Sequence, residues 1–329
     1  GKCETGMGKA IEQRRVSFVD APGHETLMAT MLSGAALMQG SVLVIAANEK
    51  CPQPRTAEHL MALSISGIKQ VIVAQNKIDL VDQKRAKESY AEIEKFLKTH
   101  GYETSPIIPI SANLKVNIDL LIEAIEENII TPKQDKGKNL KMYVVRSFDV
   151  NKPGAKPEEI IGGVIGGSII EGSIKIGDKI EITPGIEGKP FETEVVSLGV
   201  ASGPIEDAHA GGLIAVGTTL DPFITKNDEM RGQMITKPGT MPEPTTNVKL
   251  EVEEIERILT KGEGKLKTNE YVVLAVGTNT VVGQVIGSSG KNDFEFKLRS
   301  SVVIEKGQKV AISKREQSGW RLRAYGIAK

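Results

Sequence analysis

The sequence predicts an α/β region built on a mostly parallel sheet, followed by an all-β region folded as two barrels. Three observations lead there. Up to about residue 135, apolar runs of strand length alternate with stretches of helical period. Beyond it the helical period disappears, and short β-branched runs recur between Gly and Pro. Within that second part the segment Lys237-Pro238-Gly239-Thr240-Met241-Pro242-Glu243-Pro244 breaks the pattern again. The domains expected from these breaks are 1–137, 138–237 and 238–329, with the charged run from Pro132 to Lys138 as the first linker.

Each element has its own reason. Arg15–Asp20 reads as a strand, and Glu25–Gly40 as a helix with Leu27, Met31, Ala35 and Met38 near one face. Ser41–Ala47 is a strand apolar on both sides, Thr56–Ser66 a helix, and Val71–Gln75 another apolar strand. Lys84–His100 is a helix, Ile107–Ile110 a short strand, and Val116–Asn128 the closing helix. Strands apolar on both faces need helices above and below, which is the layering of a parallel sheet. In the second part, strands are expected at Met142–Phe148, Ser173–Ile176, Lys179–Ile182, Glu192–Leu198, Val248–Glu253, Tyr271–Val276 and Val302–Ile304. Gly162-Gly163, Gly166-Gly167, Gly177-Asp178, Pro184-Gly185 and Gly211-Gly212 punctuate them, as in barrels or sandwiches.

Composition narrows the function. The 329 residues suffice for two or three domains, and 40% hydrophobic with 26% charged residues is ordinary globular stock. Lys plus Arg is 42 and Asp plus Glu is 42, so a uniformly basic polyanion binder is excluded while a local basic patch is not. No apolar run approaches the ~20 residues of a membrane span, and no charged-then-apolar leader opens the sequence. No membrane role is therefore expected. Cys3 and Cys51 cannot build a disulfide framework, so a reducing compartment, the cytoplasm, is expected. A single cysteine such as Cys3 cannot make a tetrahedral zinc site, and a free thiol is expected there. His59, His100 and His209 stand outside any Cys/His cluster and read as structural or surface residues. Trp320 reads as a core residue.

Three short motifs carry chemistry, each directly after an expected strand. In Asp20-Ala21-Pro22-Gly23-His24, an Asp at the C-terminal end of a parallel strand sits where open α/β sheets bind ligands. Its carboxylate can hold Mg²⁺ through water. Gly23 lets backbone approach a phosphate and donate its N–H, and His24 is placed to orient a water. Alone, the five residues read equally well as a helix cap and turn. In Asn76-Lys77-Ile78-Asp79, one carboxylate, Asp79, offers two oxygens to the paired N–H donors of guanine. Asn76 can bond the other edge and tie neighbouring loops, and the Lys77 stem can lie along the ring. Ser111-Ala112-Asn113 is small enough for a backbone N–H to approach the guanine O6. Asn76 follows Asp20 by 56 positions, with one strand–helix unit between, so the joint reading is a GTP-binding domain.

Longer stretches resemble a known family. Val16 to Met38, Ala46 to Thr56 and Gln75 to Val81 closely resemble the gamma subunits of archaeal and eukaryotic translation initiation factor 2, the archaeal ones more closely. So do Arg146 to Gly154, Val216 to Pro222, Val310 to Lys314 and Trp320 to Leu322, so that the likeness spans essentially the whole chain. Cys51-Pro52-Gln53-Pro54 separates this family from elongation factor Tu. The resemblance implies a GTPase domain followed by two β-barrels, with GTP or GDP and Mg²⁺ as ligands. It implies alpha and beta subunits, initiator methionyl-tRNA and the small ribosomal subunit as partners. By motif match it gives Asp20 to the Mg²⁺ site, Gly23 to the γ-phosphate and His24 to the attacking water. Asn76, Lys77 and Asp79 would read guanine beside Ser111 and Ala112.

One family element is missing from the sequence as given. A P-loop needs Gly-Lys followed by Ser or Thr, whereas Lys2, Lys9, Lys138, Lys189, Lys265 and Lys291 precede Cys3, Ala10, Asn139, Pro190, Leu266 and Asn292. The expectation is an incomplete P-loop-type GTPase domain whose phosphate loop lies N-terminal to this sequence. Two rival readings follow: a nucleotide-independent binding scaffold, and an elongator-type translational GTPase such as the selenocysteine-specific factor.

Overall fold

The computed structural model describes residues 2–5, 8–11, 14, 16–21, 37–131, 137–254, 266–290, 292–316 and 319–329. Strands β1 (Lys2–Thr5) and β2 (Gly8–Ile11) form an antiparallel hairpin, Lys2 opposite Ile11. Then come β3 (Gly40–Ala46), α1 (Pro54–Ile65), β4 (Gln70–Asn76), α2 (Gln83–Thr99), β5 (Ile107–Pro109) and α3 (Ile118–Asn128). β3, β4 and β5 run parallel in that order, Val44 beside Ala74 and Ala74 beside Ile108. Side-chain alternation along the strands splits the core in two. Leu43, Ile45, Val71 and Val73 pack under Leu60 and Leu63 of α1 and Ile93, Phe96 and Leu97 of α2. On the opposite face Ile72, Val42 and Ile108 meet Ala124, Ile125 and Leu121 of α3.

Arg14 ties the N-terminal segment to this layer. Its guanidinium pairs with Glu126 at 2.8 Å and donates to the carbonyl oxygens of Ile125 and Ile129. The Ile125 carbonyl also accepts from the Ile129 N–H at 3.0 Å, so Arg14 adds a second donor there at the C-terminal end of α3. The strand expected at Arg15–Asp20 does not form over its described residues, 16–20. Residues 16–20 are exposed, with Phe18 at 77%, and among the described residues no ladder engages them. Apolar alternation makes a strand only where a neighbour takes its N–H and C=O groups. Most of the helix expected at Glu25–Gly40 lies outside the described residues, and 37–39 are not helical.

The first all-β unit comprises β6 (Lys141–Phe148), β7 (Val164–Glu171), β8 (Ser173–Lys175), β9 (Lys179–Ile186), β10 (Lys189–Val200), β11 (Gly203–Ile205), β12 (Asp207–His209), β13 (Ile214–Thr218), α4 (Pro222–Thr225) and β14 (Met234–Thr236). The order β10-β13-β7-β6-β14-β9 closes on itself because β9 also pairs with β10. Met142, Val144, Ile165, Ile169, Ile180, Ile182 and Val216 fill it. Gly166-Gly167, expected as punctuation, lies inside β7. A Cβ at Gly167 would stand 1.9 Å from the Tyr143 carbonyl oxygen, so only glycine admits β6 at that distance.

The second unit closes as β15 (Thr245–Glu254), β18 (Asp293–Val302), β17 (Asn279–Ser288), β16 (Tyr271–Val276), β19 (Lys309–Glu316) and β20 (Gly319–Ala328), with Phe296 fully buried at its centre. Of the run Val302–Ile304, Val302 is the last residue of β18 and the other two follow the strand. Trp320 sits half-buried beside Arg315 in the β19–β20 hairpin, not in the core. The fold class expected from sequence, a parallel-sheet α/β domain followed by two β-barrels, is the one observed. Among the described residues no helix is long and apolar enough to cross a membrane.

Candidate nucleotide-binding site

The motif residues meet where β4 and β5 end. β4 stops at Asn76, and Lys77 takes a left-handed conformation, φ 63, to start one 3-10 turn over Ile78–Leu80. The Asn76 side-chain oxygen accepts from the Lys77 N–H at 2.8 Å and from the Ala112 N–H at 3.0 Å. Both lone pairs of that oxygen are used, and they lace one strand end to the next. The Ile78 N–H adds a bond to the Ile110 carbonyl at 3.3 Å. Asp79 lies on the exposed turn, and among the described residues no hydrogen bond or ion pair engages its carboxylate.

The loop after β5 is closed on itself. Buried Ser111 exchanges both backbone bonds with Val116, and its hydroxyl accepts from the Leu114 N–H at 3.2 Å. Asn117 holds the far end. It is left-handed, φ 57, and its amide donates to the Pro109 carbonyl at 2.8 Å just before α3 begins. Buried Gln75 anchors the near side, donating to the Ala86 carbonyl of α2 at 2.8 Å. Of the backbone N–H groups in Ser111-Ala112-Asn113, that of Ala112 is engaged by Asn76.

A second knot holds the loop between β3 and α1. Arg85 donates to the carbonyls of Ala47 at 3.1 Å and Glu49 at 2.7 Å, and clasps Glu92 through both guanidinium amines. Glu92 also accepts from the Cys51 N–H at 2.8 Å. The Arg85 hydrogen bond holds the Glu92 carboxyl below its usual range, against a smaller opposing effect of burial. Burial, reinforced by Glu92, pushes the Cys51 thiol up to about 11. Burial likewise lowers His59, while His100 bonds the Phe96 carbonyl at 2.9 Å and His209 pairs with Asp207 at 2.9 Å. All three histidines are structural here.

Sequence reasoning placed Asn76, Lys77, Asp79, Ser111 and Ala112, and the structure brings these together. Gly23 and His24 lie outside the described residues. Among the described residues Asp20 is exposed without a partner, and no His, Cys, Asp or Glu cluster of three or more stands with it. A lone carboxylate suits Mg²⁺, which keeps several waters and takes the rest of its shell from phosphates. The two unengaged oxygens of Asp79 suit paired N–H donors on a planar base. Gln75, Arg85, Glu92 and Asn117 were missed, because each acts by bonding backbone far along the sequence.

Residues 3–131 match the model of the Elongation factor Tu GTP binding domain, and 246–328 that of Initiation factor eIF2 gamma, C terminal. The translation initiation factor 2 subunit gamma of Pyrococcus furiosus is 51% identical over 96% of this chain and 80% of its own length. The chain belongs to the gamma-subunit family of translation initiation factor 2. The Methanothermobacter thermautotrophicus gamma subunit is also 51% identical, over 99% of the chain and 83% of that protein. A bacterial selenocysteine-specific elongation factor, EF-Sec, superimposes with TM-score 0.76 at 25% identity, over 93% of this chain and 47% of that one. Elongation factor SelB of Methanococcus maripaludis, in complex with a GTP analogue, gives TM-score 0.78 at 22% identity, over 97% and 72%, and shows the fold alone. Family membership makes the chain a translational GTPase of initiation, with GTP or GDP and Mg²⁺ as the family's ligands.

Proposed function

We propose that the chain carries initiator methionyl-tRNA to the small ribosomal subunit as a GTP-dependent switch, with alpha and beta subunits, in the cytoplasm. One observation carries the nucleotide part: among the described residues Asp79 keeps both carboxylate oxygens unengaged beside the laced ends of β4 and β5. In this reading Asp79 accepts the two guanine donors, the Lys77 stem flanks the ring, and Asn76 holds the loop that carries Ser111 and Ala112. Asp20 holds Mg²⁺ through water, the Gly23 N–H donates to the γ-phosphate, and His24 orients the attacking water. GTP supplies the γ-phosphate whose presence or loss sets the state of the segment around Asp20–His24. The working units are 1–137 for nucleotide, and 138–237 with 238–329 for tRNA and subunit contacts.

Competition between guanine and xanthine nucleotides tests the base site. Asp79→Asn exchanges an acceptor for an N–H₂ donor, which suits the C2 carbonyl of xanthine. Preference should move from GTP toward xanthosine triphosphate. Unchanged selectivity would remove Asp79 from the site. His24→Ala separates catalysis from binding: under activation it should slow hydrolysis by ~10²-fold while leaving affinity nearly intact.

A further inference from the structure

Away from the nucleotide site, a cavity of about 320 Å³ opens where three parts of the molecule meet. The end of α1 contributes Ser66, the first barrel Tyr143 and Ile170, and the second barrel Gly277, Gln308 and Lys309. Ligand pockets favour such junctions and begin at about this volume. Three of its polar side chains have donors to spare. The Tyr143 hydroxyl has no hydrogen-bond partner among the described residues. Gln308 spends its side-chain oxygen on the Glu305 N–H at 3.0 Å, which leaves its amide N–H₂ unspent. Lys309 forms no ion pair among the described residues and rests its ammonium 5.7 Å over the Tyr325 ring.

The neighbouring carboxylates do not cancel these donors. Lys141 already bridges Glu305 at 2.6 Å and Glu171 at 3.8 Å. Burial, with those two carboxylates behind it, pushes the Tyr143 phenol up to about 12, so it stays a donor across the working pH range. The ring is set in place by Gly277, at φ +57, where a Cβ would stand 2.6 Å from the ring carbon Cε1. Apolar wall comes from Ile65, Ile170, Ala275 and Ala311.

We propose that this cavity is a binding site for a small planar molecule with an apolar body and a single carboxylate. The body lies against the aliphatic wall. The carboxylate takes the Lys309 ammonium, with Tyr143 and Gln308 as supporting donors. Because three parts of the chain line the cavity, an occupant binds their packed arrangement and no other, and so holds them together.

The probes are 2-naphthoate and its uncharged counterpart 2-naphthylmethanol, titrated calorimetrically into the full chain. Saturable 1:1 binding of 2-naphthoate is expected at millimolar concentration or below. Lys309→Met keeps the stem and removes the charge, so 2-naphthoate should weaken about 10-fold while 2-naphthylmethanol is unaffected. Ile170→Trp fills the space and should abolish both. Absence of saturable binding to the native chain overturns the proposal, as does equal 2-naphthoate affinity in Lys309→Met. Lys309→Met changes only an exposed side chain, so the test stands even if Ile170→Trp misfolds.

Discussion

The two barrels and the three-stranded sheet solve the problem of sheet edges in opposite ways. Around each barrel every ring strand is paired on both sides, so its core is complete within the unit. In the sheet, among the described residues, β3 pairs with β4 alone, and Val44 at its middle is 59% exposed, while Val73 on β4 is fully buried. What the sheet lacks it partly takes from elsewhere. α1 turns Leu60 and Leu63 to its own sheet but Ala62, Ile65 and Met61 to the second barrel, against Ala275, Ala311 and Leu322. Buried Glu58 on the same helix pairs with Arg321 of β20 at 2.7 Å. Closure makes the barrels self-sufficient, whereas openness leaves strand ends free to carry chemistry and makes the sheet dependent on its neighbour.

The strongest way to break that contrast is Arg321→Met. Removing one partner of a buried pair leaves Glu58 charged and unpaired, at a cost of about 3 kcal/mol. Calorimetric melting should show the first region unfolding earlier, with the barrel transition retained. A single transition shifted as a whole would mean the sheet is not the dependent partner. Adding Glu58→Leu should recover most of the loss, because the pair itself is worth little against apolar packing.

Next in size is the difference between two valines on adjacent strands. Val73→Thr buries a hydroxyl under α1 and α2, costing about 2 kcal/mol by denaturant unfolding. Val44→Thr should stay within about 0.5 kcal/mol, as exposed substitutions do. Equal costs would show that the open face of β3 is covered in solution.

The same contrast explains what was legible in the sequence. The layers were, because burial on both sides leaves unbroken apolar runs such as Val71–Ala74. The motif at Asn76–Asp79 was, because the residues that do the chemistry are contiguous. Barrel strands with glycine inside them were not: Gly167 reads as a break and is a close approach between β6 and β7. The stretch 16–20 read as a strand on its apolar residues alone, which specify neither a pairing neighbour nor a layer to bury them. Asn117 was passed over because its use depends on Pro109, eight positions away, across a loop whose shape the sequence does not spell out.

Asn117 offers a finer test of the strand-end architecture. Asn117→Gly keeps the left-handed backbone and loses the bond to Pro109, costing about 1 kcal/mol. Asn117→Ala loses the bond and strains φ as well, adding about another 1 kcal/mol. Hydrogen exchange at the Ala112 and Val116 amides should accelerate in both, more in Ala, while barrel amides keep their protection. Uniform acceleration across the chain would mean Asn117 is not a local latch.

The smallest effect is expected at Arg85 and Glu92, which secure the loop after β3. The folded-state Glu92 carboxyl is depressed, first by the Arg85 hydrogen bond and further by the Cys51 N–H. A depressed acid stabilises the fold above its unfolded pKa, about 4.3, and that contribution disappears as pH falls through the lower folded value. Both side chains are 27% exposed, so solvent screening limits the gain at neutral pH to about 0.5 kcal/mol. Glu92→Gln keeps an oxygen for the Cys51 N–H and removes the charge together with one of the two oxygens that accept from Arg85. Melting midpoints of the two proteins, followed from pH 7 to pH 3, should therefore separate at neutral pH and converge once Glu92 is protonated. Added salt should narrow the neutral-pH gap, since the pair is partly wet. A gap that persists unchanged to pH 3 would assign the effect to the shape of the side chain, and Arg85 would then hold the loop through its bonds to Ala47 and Glu49 alone.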